Sequence, residues 1–406
     1  MTVFRAAWVL PVAASPICDG WVAVEGGAIR GVGAGRQSGS TDLGDVAVLP
    51  ALVNAHTHLE LSHLRGAIPP ADHFTGWVRR VLAARQDPDA QDARVLAAAG
   101  AALQEARAAG TGLIGDISNT LATVGLLRES GVSARVFYEQ IGFNPEDPAG
   151  RVRAARASVD DLAAALPDRV RLSLAPHAPY SVSASLFRAI RADLDAHPAD
   201  LTSVHLSESP EEMEFLRYGT GEWRELLREL GVLPDLWRPP GCSTVTYLRE
   251  LGFLDARALA VHAVQCSSDD LAALNGLGAT IVSCPRSNRW VGVGDPPLDA
   301  FYASGVAVAF GTDSLASVGD LNLFAELARA RAVAPRVAAH RLLESATWCG
   351  ARALGFGDRL GTIEAGKQAA LIAVRLPSGV GDVEEYLVNG VQPDAIEWLD
   401  ANDRRS

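Results

Sequence analysis

The 406-residue sequence predicts an α/β protein: a (β/α)8 barrel of the TIM type, with a small discontinuous β-sandwich domain formed by both termini. Three observations predict it. Eight short apolar runs alternate with helical or loop segments over about 290 residues, the pattern of repeated β/α units. The polar exceptions in those runs gather at their C-terminal ends. Short runs punctuated by glycine occupy the two ends of the chain.

The N-terminal region comes first. Trp21 to Ile29 is two apolar stretches broken by Gly26-Gly27, a hairpin signal. Ala6 to Pro16 is apolar with a small-residue end, but only Arg5 precedes it with positive charge and Pro11 interrupts it. It reads as a strand and turn rather than a leader. From residue 51 the period changes. The apolar runs are Leu49–Leu61, Gly112–Ile117, Ala134–Ile141, Val170–Pro179, Thr202–Leu206, Leu259–Val264, Thr280–Cys284 and Val306–Asp313. Segments such as Val95–Ala109, rich in Ala, Leu and Arg, carry helical period between them. Short strands are expected to return at Gly361–Ile363 and Ala370–Val374. The expected domains are therefore 1–50 with 356–406, and the barrel over 51–355.

Composition narrows the function. The formal net charge is -12, which argues against nucleic acid and against an anionic membrane surface. No stretch approaches the ~18 apolar residues of a membrane span. Cys18, Cys242, Cys266, Cys284 and Cys349 are odd in number and scattered. That usage fits a reducing, cytoplasmic setting. A homo-oligomer is left open.

The chemistry begins at His56-Thr57-His58. Side chains at i and i+2 of a strand point the same way, so both imidazoles face one point, as a divalent metal requires. The only lysine is Lys367, near the C-terminus. A metal pair bridged by a carbamylated lysine from the centre of the chain is thereby excluded; one metal held by histidine and carboxylate is expected. Glu139, His177, His205, His262 and Asp313 end other runs, and barrel enzymes collect their working residues on that face. Each alone is more often a hydrogen-bonded structural residue or a helix cap, but together they read as a site. His63, His73, His197 and His340 lie off strand ends and read as surface or packing residues. Glu208 follows His205 by three residues and enters the loop above the site, suited to general acid–base work. Its alternative role is to start the next helix.

These residues resemble the amidohydrolase superfamily, in its mononuclear deaminase branch. The match is carried by Ala55-His56-Thr57-His58, Ala175-Pro176-His177-Ala178-Pro179-Tyr180, His205-Leu206-Ser207-Glu208, Cys284-Pro285-Arg286-Ser287-Asn288 and Gly311-Thr312-Asp313. The tail, with Gly361-Thr362-Ile363 and Gly366-Lys367, is similar too. Leu64-Arg65-Gly66 and Phe74-Thr75-Gly76-Trp77 resemble the deaminases of adenine-containing small molecules. Within these, His56 to Ser62 and Pro285 to Asn288 look like aminodeoxyfutalosine deaminases of an alternative menaquinone route. Two positions depart. Gly76 stands where S-adenosylhomocysteine deaminases carry Glu, which weakens that substrate. Ala369-Ala370 replaces the usual Ala-Asp, away from the chemistry.

The resemblance implies that His56, His58, His205 and Asp313 bind one metal, zinc before iron or manganese. It implies that Glu208 protonates the ring nitrogen, that His262 stabilises the reacting centre, and that Asp313 also takes part in catalysis. His177 and Trp77 would contact a nucleoside-like substrate, and Glu139 would hold ribose hydroxyls. Arg286 is a candidate partner for a substrate carboxylate, since arginine binds carboxylate bidentately, and Asn288 is a further candidate substrate contact. Arg65 and Arg289 are lesser candidates for that contact. Two other readings stay open: deamination or hydrolysis of guanine, cytosine, S-adenosylhomocysteine, methylthioadenosine or a triazine on the same scaffold, and an inactive binding relative.

Overall fold

The computed structural model describes residues 1–85 and 92–399. The last seven residues assigned to the terminal domain, 400–406, lie outside this range, as does 86–91. The chain opens with β1 (Thr2–Val9), β2 (Ile17–Glu25), β3 (Ala28–Ala34), the two-residue β4 (Thr41–Asp42) and β5 (Val46–Pro50). Gly26 and Gly27 join β2 to β3 with φ of 60° and 74°. A two-residue hairpin turn with both central φ positive matches the twist of the flanking strands, and glycine adopts it without a Cβ clash.

After Ala51 the barrel strands follow: β6 (Leu52–Thr57), β7 (Thr111–Ser118), β8 (Ser133–Gln140), β9 (Val170–Pro176), β10 (Thr202–Leu206), β11 (Ala258–His262), β12 (Thr280–Ser283) and β13 (Ala307–Phe310). They are parallel and form two four-stranded halves, β6-β7-β8-β9 and β10-β11-β12-β13. One seam between the halves is bridged by His205 N–H to His177 O at 2.9 Å and Thr202 Oγ1 to Leu174 O at 3.1 Å. The other is bridged by Asp313 N–H to His56 O at 3.0 Å and by the Asn54–Thr312 side-chain pair at 2.8 Å. Both seams run through the predicted site residues.

The strand interiors are apolar because both faces are covered. Val53, Leu113, Phe137, Ala175, Val261 and Ala309 share a core closed below by Leu354 and Phe356. A second core, including Leu52, Leu172, Val204, Phe310 and Leu327, packs the strands against the helices. Helix starts are fixed by side-chain caps: Ser183, Ser209 and Ser243 accept from the first turn, and Ser267 with Asp270 forms a capping box.

The chain ends with β14 (Leu371–Arg375) and β15 (Ile396–Trp398). These join β1 to β5 in one seven-stranded sheet of order β15-β14-β5-β1-β2-β3, with β4 on β1. The Ala28–Gln368 bridge brings the start of β3 back to the segment entering β14. The sheet thus curls over its own core of Phe4, Val22, Ile29, Val48 and Leu371. Its other face, with Ala47, Leu49, Ile372 and Val374, joins the core of the barrel helices.

Two expectations change. The run Leu49–Leu61 is not one strand. It divides at Ala51 between β5 of the terminal sheet and β6 of the barrel, and closes in a 3-10 turn over Leu59–Leu64. Gly361–Ile363 is a bend and not a strand, with Gly361 at φ 90° and so placed that a Cβ on it would stand 2.8 Å from Trp348 Cα. Ile363 is tied by its N–H to Pro11 O at 3.0 Å instead of to a sheet.

Candidate active site

His56 lies in β6 and His58 one residue past it. The pairing with β7 shifts register between Asn54 and Thr57, so the strand bends as the histidines leave it. The rings of His56 and His58 are 4.9 Å apart, and His205 from β10 is 5.0 Å from His56. One nitrogen from each of the three falls within 4.8 Å of the others. Asp313, three residues beyond β13, brings Oδ1 to 3.9 Å from His56 Nε2 and 3.6 Å from His58 Nε2. Its other oxygen accepts from Ser287 Oγ at 2.6 Å, and Oδ1 accepts from Ser314 N–H at 2.7 Å.

Burial sets the charge states. His56 and His58 are held well below the usual histidine pKa, first by burial and then by the neighbouring imidazoles. His205 is lowered to about 4, burial being the main cause. The three are neutral at pH 7, the form that ligates metal. His205 Nδ1 lies 3.0 Å from His177 O, a donor contact that turns Nε2 toward the site. Both ring nitrogens of His56 are buried without a hydrogen-bond partner among the described residues. A bare, neutral imidazole beside two more and a carboxylate fits a cation, because orphaned buried nitrogen is otherwise costly.

Glu208 Oε1 faces His262 Nε2 at 3.5 Å. Burial first, then Asp313 and Glu212, push the Glu208 carboxyl well above its usual range. Glu208 does not start the next helix. Ser209 caps it, and the Glu212 carboxylate accepts from Ser207 N–H at 3.0 Å and Glu208 N–H at 2.8 Å. His262 Nδ1 donates to Asn288 Oδ1 at 2.8 Å. Ser207, His262, Ala263 and Asp313 all take positive φ at the strand ends. Such conformations are uncommon for residues with a Cβ and cluster at functional sites.

Above this group opens a cavity of about 480 Å³. Trp77, Val81 and Phe74 line it from the helix Phe74–Ala84; Trp223 and Leu226 line it from the helix Glu222–Glu229. Tyr180 stacks on Trp223 at 3.9 Å. The two helices are tied by Arg79 to Glu229 and by Thr75 to Glu222. His177, Glu139, His58, His205, Glu208 and Asp313 are among the polar residues of the lining. His177 Nδ1 is engaged with Ser181 Oγ at 2.6 Å.

Two predicted substrate residues fall elsewhere. Arg286 does not line the cavity; it pairs with Asp320 at 2.7 Å and lies 3.6 Å from Glu326. Asn288 is fully buried beneath His262. A guanidinium prefers the carboxylates its own fold supplies, and only coordinates reveal them. The lining contains residues that sequence reasoning missed: Arg85, Asn119, Arg151 and Trp223. Asn119 directly follows β7, so the strand-end rule reaches it; Arg85 ends a helix and carries no such signal.

The amidohydrolase family model matches residues 47–398. The chain is an amidohydrolase. As a member of that family it is an enzyme, of the hydrolytic deaminase type. This amidohydrolase is 32% identical to the aminodeoxyfutalosine deaminase of Deinococcus radiodurans over 315 residues, 76% of this chain and 73% of the relative. It is 29% identical to the 5-methylthioadenosine/S-adenosylhomocysteine deaminase of Moorella thermoacetica over 97% of this chain and 91% of the relative. Among solved structures, an adenosine deaminase of Xanthomonas campestris with bound zinc superposes with a TM-score of 0.82 at 26% identity, covering 97% of this chain and 90% of that one.

Proposed function

We propose that this amidohydrolase is a metal-dependent deaminase of an adenine-containing small molecule, 6-amino-6-deoxyfutalosine, releasing ammonia in an alternative menaquinone route. One observation carries the reading: Glu208 and His262 face each other beside the three histidines and Asp313, at the polar end of a largely apolar cavity. That volume lies within the usual range for small-molecule sites. The likeness to the Deinococcus radiodurans enzyme supports the substrate.

His56, His58, His205 and Asp313 would hold one divalent cation, zinc before iron or manganese. Such a cation, when bound, lowers the pKa of water from about 15.7 to about 7. The side chains do the rest. Deamination replaces the C–N bond to the amino group by a C–O bond from water. Glu208 takes a proton from the attacking water and gives one to the ring nitrogen beside the reacting carbon, then relays a proton to the departing ammonia. Its buried, high-pKa carboxyl suits that exchange. Asp313, oriented by Ser287 and Ser314, accepts a hydrogen bond from the water and aims it. His262 Nε2 stabilises charge at the reacting centre while Nδ1 stays committed to Asn288. Trp77 and Tyr180 flank the base, His177 contacts the nucleoside, and Glu139 accepts from ribose hydroxyls.

Residues 1–50 with 356–399 are proposed as one composite domain and 51–355 as the catalytic barrel. The five cysteines are free thiols, which supports a cytoplasmic setting. The second reading is S-adenosylhomocysteine or methylthioadenosine as substrate, favoured by the Moorella thermoacetica relative. Ammonia release from aminodeoxyfutalosine, S-adenosylhomocysteine, methylthioadenosine, guanine and an s-triazine separates these. A kcat/KM for aminodeoxyfutalosine at least tenfold above the others is expected, and preference for another substrate overturns the assignment.

A further inference from the structure

The wall beside His177 contains a guanidinium and a carboxylate that do not pair. Arg85 and Glu139 both line the cavity. Left adjacent, such groups form a bidentate salt bridge and cancel each other as binding groups. Here the Asn119 amide stands between them. Its Nδ2 donates to Glu139 Oε2 at 2.8 Å, and its Oδ1 accepts from Arg85 Nη2 at 2.6 Å. A guanidinium can only donate and a carboxylate can only accept, so the amide has one orientation.

The loop that carries Asn119 is clamped from below. The buried Glu60 carboxylate accepts from Ser118 Oγ, from Asn119 N–H at 3.0 Å, from Thr120 N–H at 3.2 Å, from Thr120 Oγ1 at 2.8 Å and from Ala122 N–H at 3.3 Å. Among the described residues no carboxylate lies within ion-pair distance of Arg85. By contrast Arg156, Arg191, Arg257, Arg286 and Arg331 all pair with carboxylates of the fold. Arg85 also ends the helix whose Trp77 and Val81 line the cavity, so a group lying along that apolar wall reaches it.

We infer that Asn119 is a specificity-positioning residue: it holds Glu139 and Arg85 apart, so that the cavity offers an acceptor for a sugar diol and, beside it, a guanidinium for a carboxylate carried beyond the sugar. The inference rests on the deaminase reading and narrows its substrate class to adenine nucleosides whose sugar substituent is apolar and ends in a carboxylate.

The test compares Arg85→Met, Arg85→Lys and Asn119→Ala with the wild-type enzyme on aminodeoxyfutalosine, methylthioadenosine and adenosine. Only the first carries a carboxylate. In Arg85→Met, KM for aminodeoxyfutalosine should rise at least about tenfold more than KM for methylthioadenosine, with a smaller change in kcat. Arg85→Lys should recover part of that difference, because it restores charge without the fork. Asn119→Ala, which lets the two groups collapse together, should raise KM for all three nucleosides, and most for aminodeoxyfutalosine. If Asn119→Ala does not fold, the Arg85 pair still decides. An equal KM rise across the substrates in Arg85→Met, or none, overturns the inference while leaving a deaminase. A wild-type enzyme that releases ammonia from none of the three removes the deaminase reading, and this inference with it.

Discussion

A neighbour does the structural work at the position of Glu208, which leaves its carboxyl available for the proposed proton transfers. Glu212 satisfies the N–H groups of Ser207 and Glu208, and Ser209 caps the helix. Glu208→Gln keeps the shape and removes the titratable group. It should bind metal as the wild type does and lose at least ~100-fold in kcat, the usual scale of general acid–base catalysis. Ammonia-release kinetics beside metal analysis will check it; near-normal turnover removes Glu208 from the mechanism. Asn288 is proposed to act at one remove, by fixing the His262 tautomer. Asn288→Ala should lower kcat by about 10- to 100-fold with a small effect on KM, as for other orienting partners of working histidines. A change confined to KM would make Asn288 a substrate residue after all. At this scale the sequence was readable where a residue type is rare or its position at a strand end constrained: His56, His58, His205 and Asp313 come together in the fold. Arginines are many in this chain, and which of them face the cavity depends on helix packing that no local pattern encodes.

The elements place those residues by close backbone approach, and small residues make that approach. A Cβ on Gly311 would stand 2.7 Å from His56 O and 2.9 Å from His56 N. A Cβ on Gly115 would stand 2.4 Å from Ala55 O. Both glycines flank β6, the strand that supplies the histidine pair. Gly311→Ala must therefore push β13 from β6 at the seam that also positions Asp313. It should destabilise the protein by about 1–3 kcal/mol, the common cost of overpacking, and reduce bound metal per chain. Thermal unfolding and metal analysis together test this; full metal occupancy with unchanged stability would contradict it. The barrel strands were legible as apolar runs because burial on both faces enforces such runs. The division at Ala51 was not, because the apolar pattern continues through it while the hydrogen-bonding partner changes from β14 to β7.

On the scale of the molecule, a cation at the three histidines and Asp313 would fasten β6, β10 and the segment after β13 to one another, across both seams between the half-barrels. Metal removal should therefore lower Tm as well as abolish turnover. Binding at a thousandfold excess over Kd contributes about 4 kcal/mol to stability. Calorimetry with and without chelator, followed by zinc return, measures it; an unchanged Tm would mean that the cluster does not bind metal tightly. The fold class was legible in the alternation of runs, and the terminal strands in their glycine-broken pattern. That these strands form a single sheet depends on the pairing of β5 with β14, and its curl on the Ala28–Gln368 bridge between residues 340 apart, which no local signal carries. The single residue between β5 and β6 has one more consequence. The ribbon contributed by the tail of the chain grips β5 directly, and His56 follows Pro50 by only six positions. A truncation or a displaced β14, far from any substrate, would thus loosen the anchor of the very strand that presents the first two imidazoles, and such damage would register as poor metal retention before it registered as unfolding.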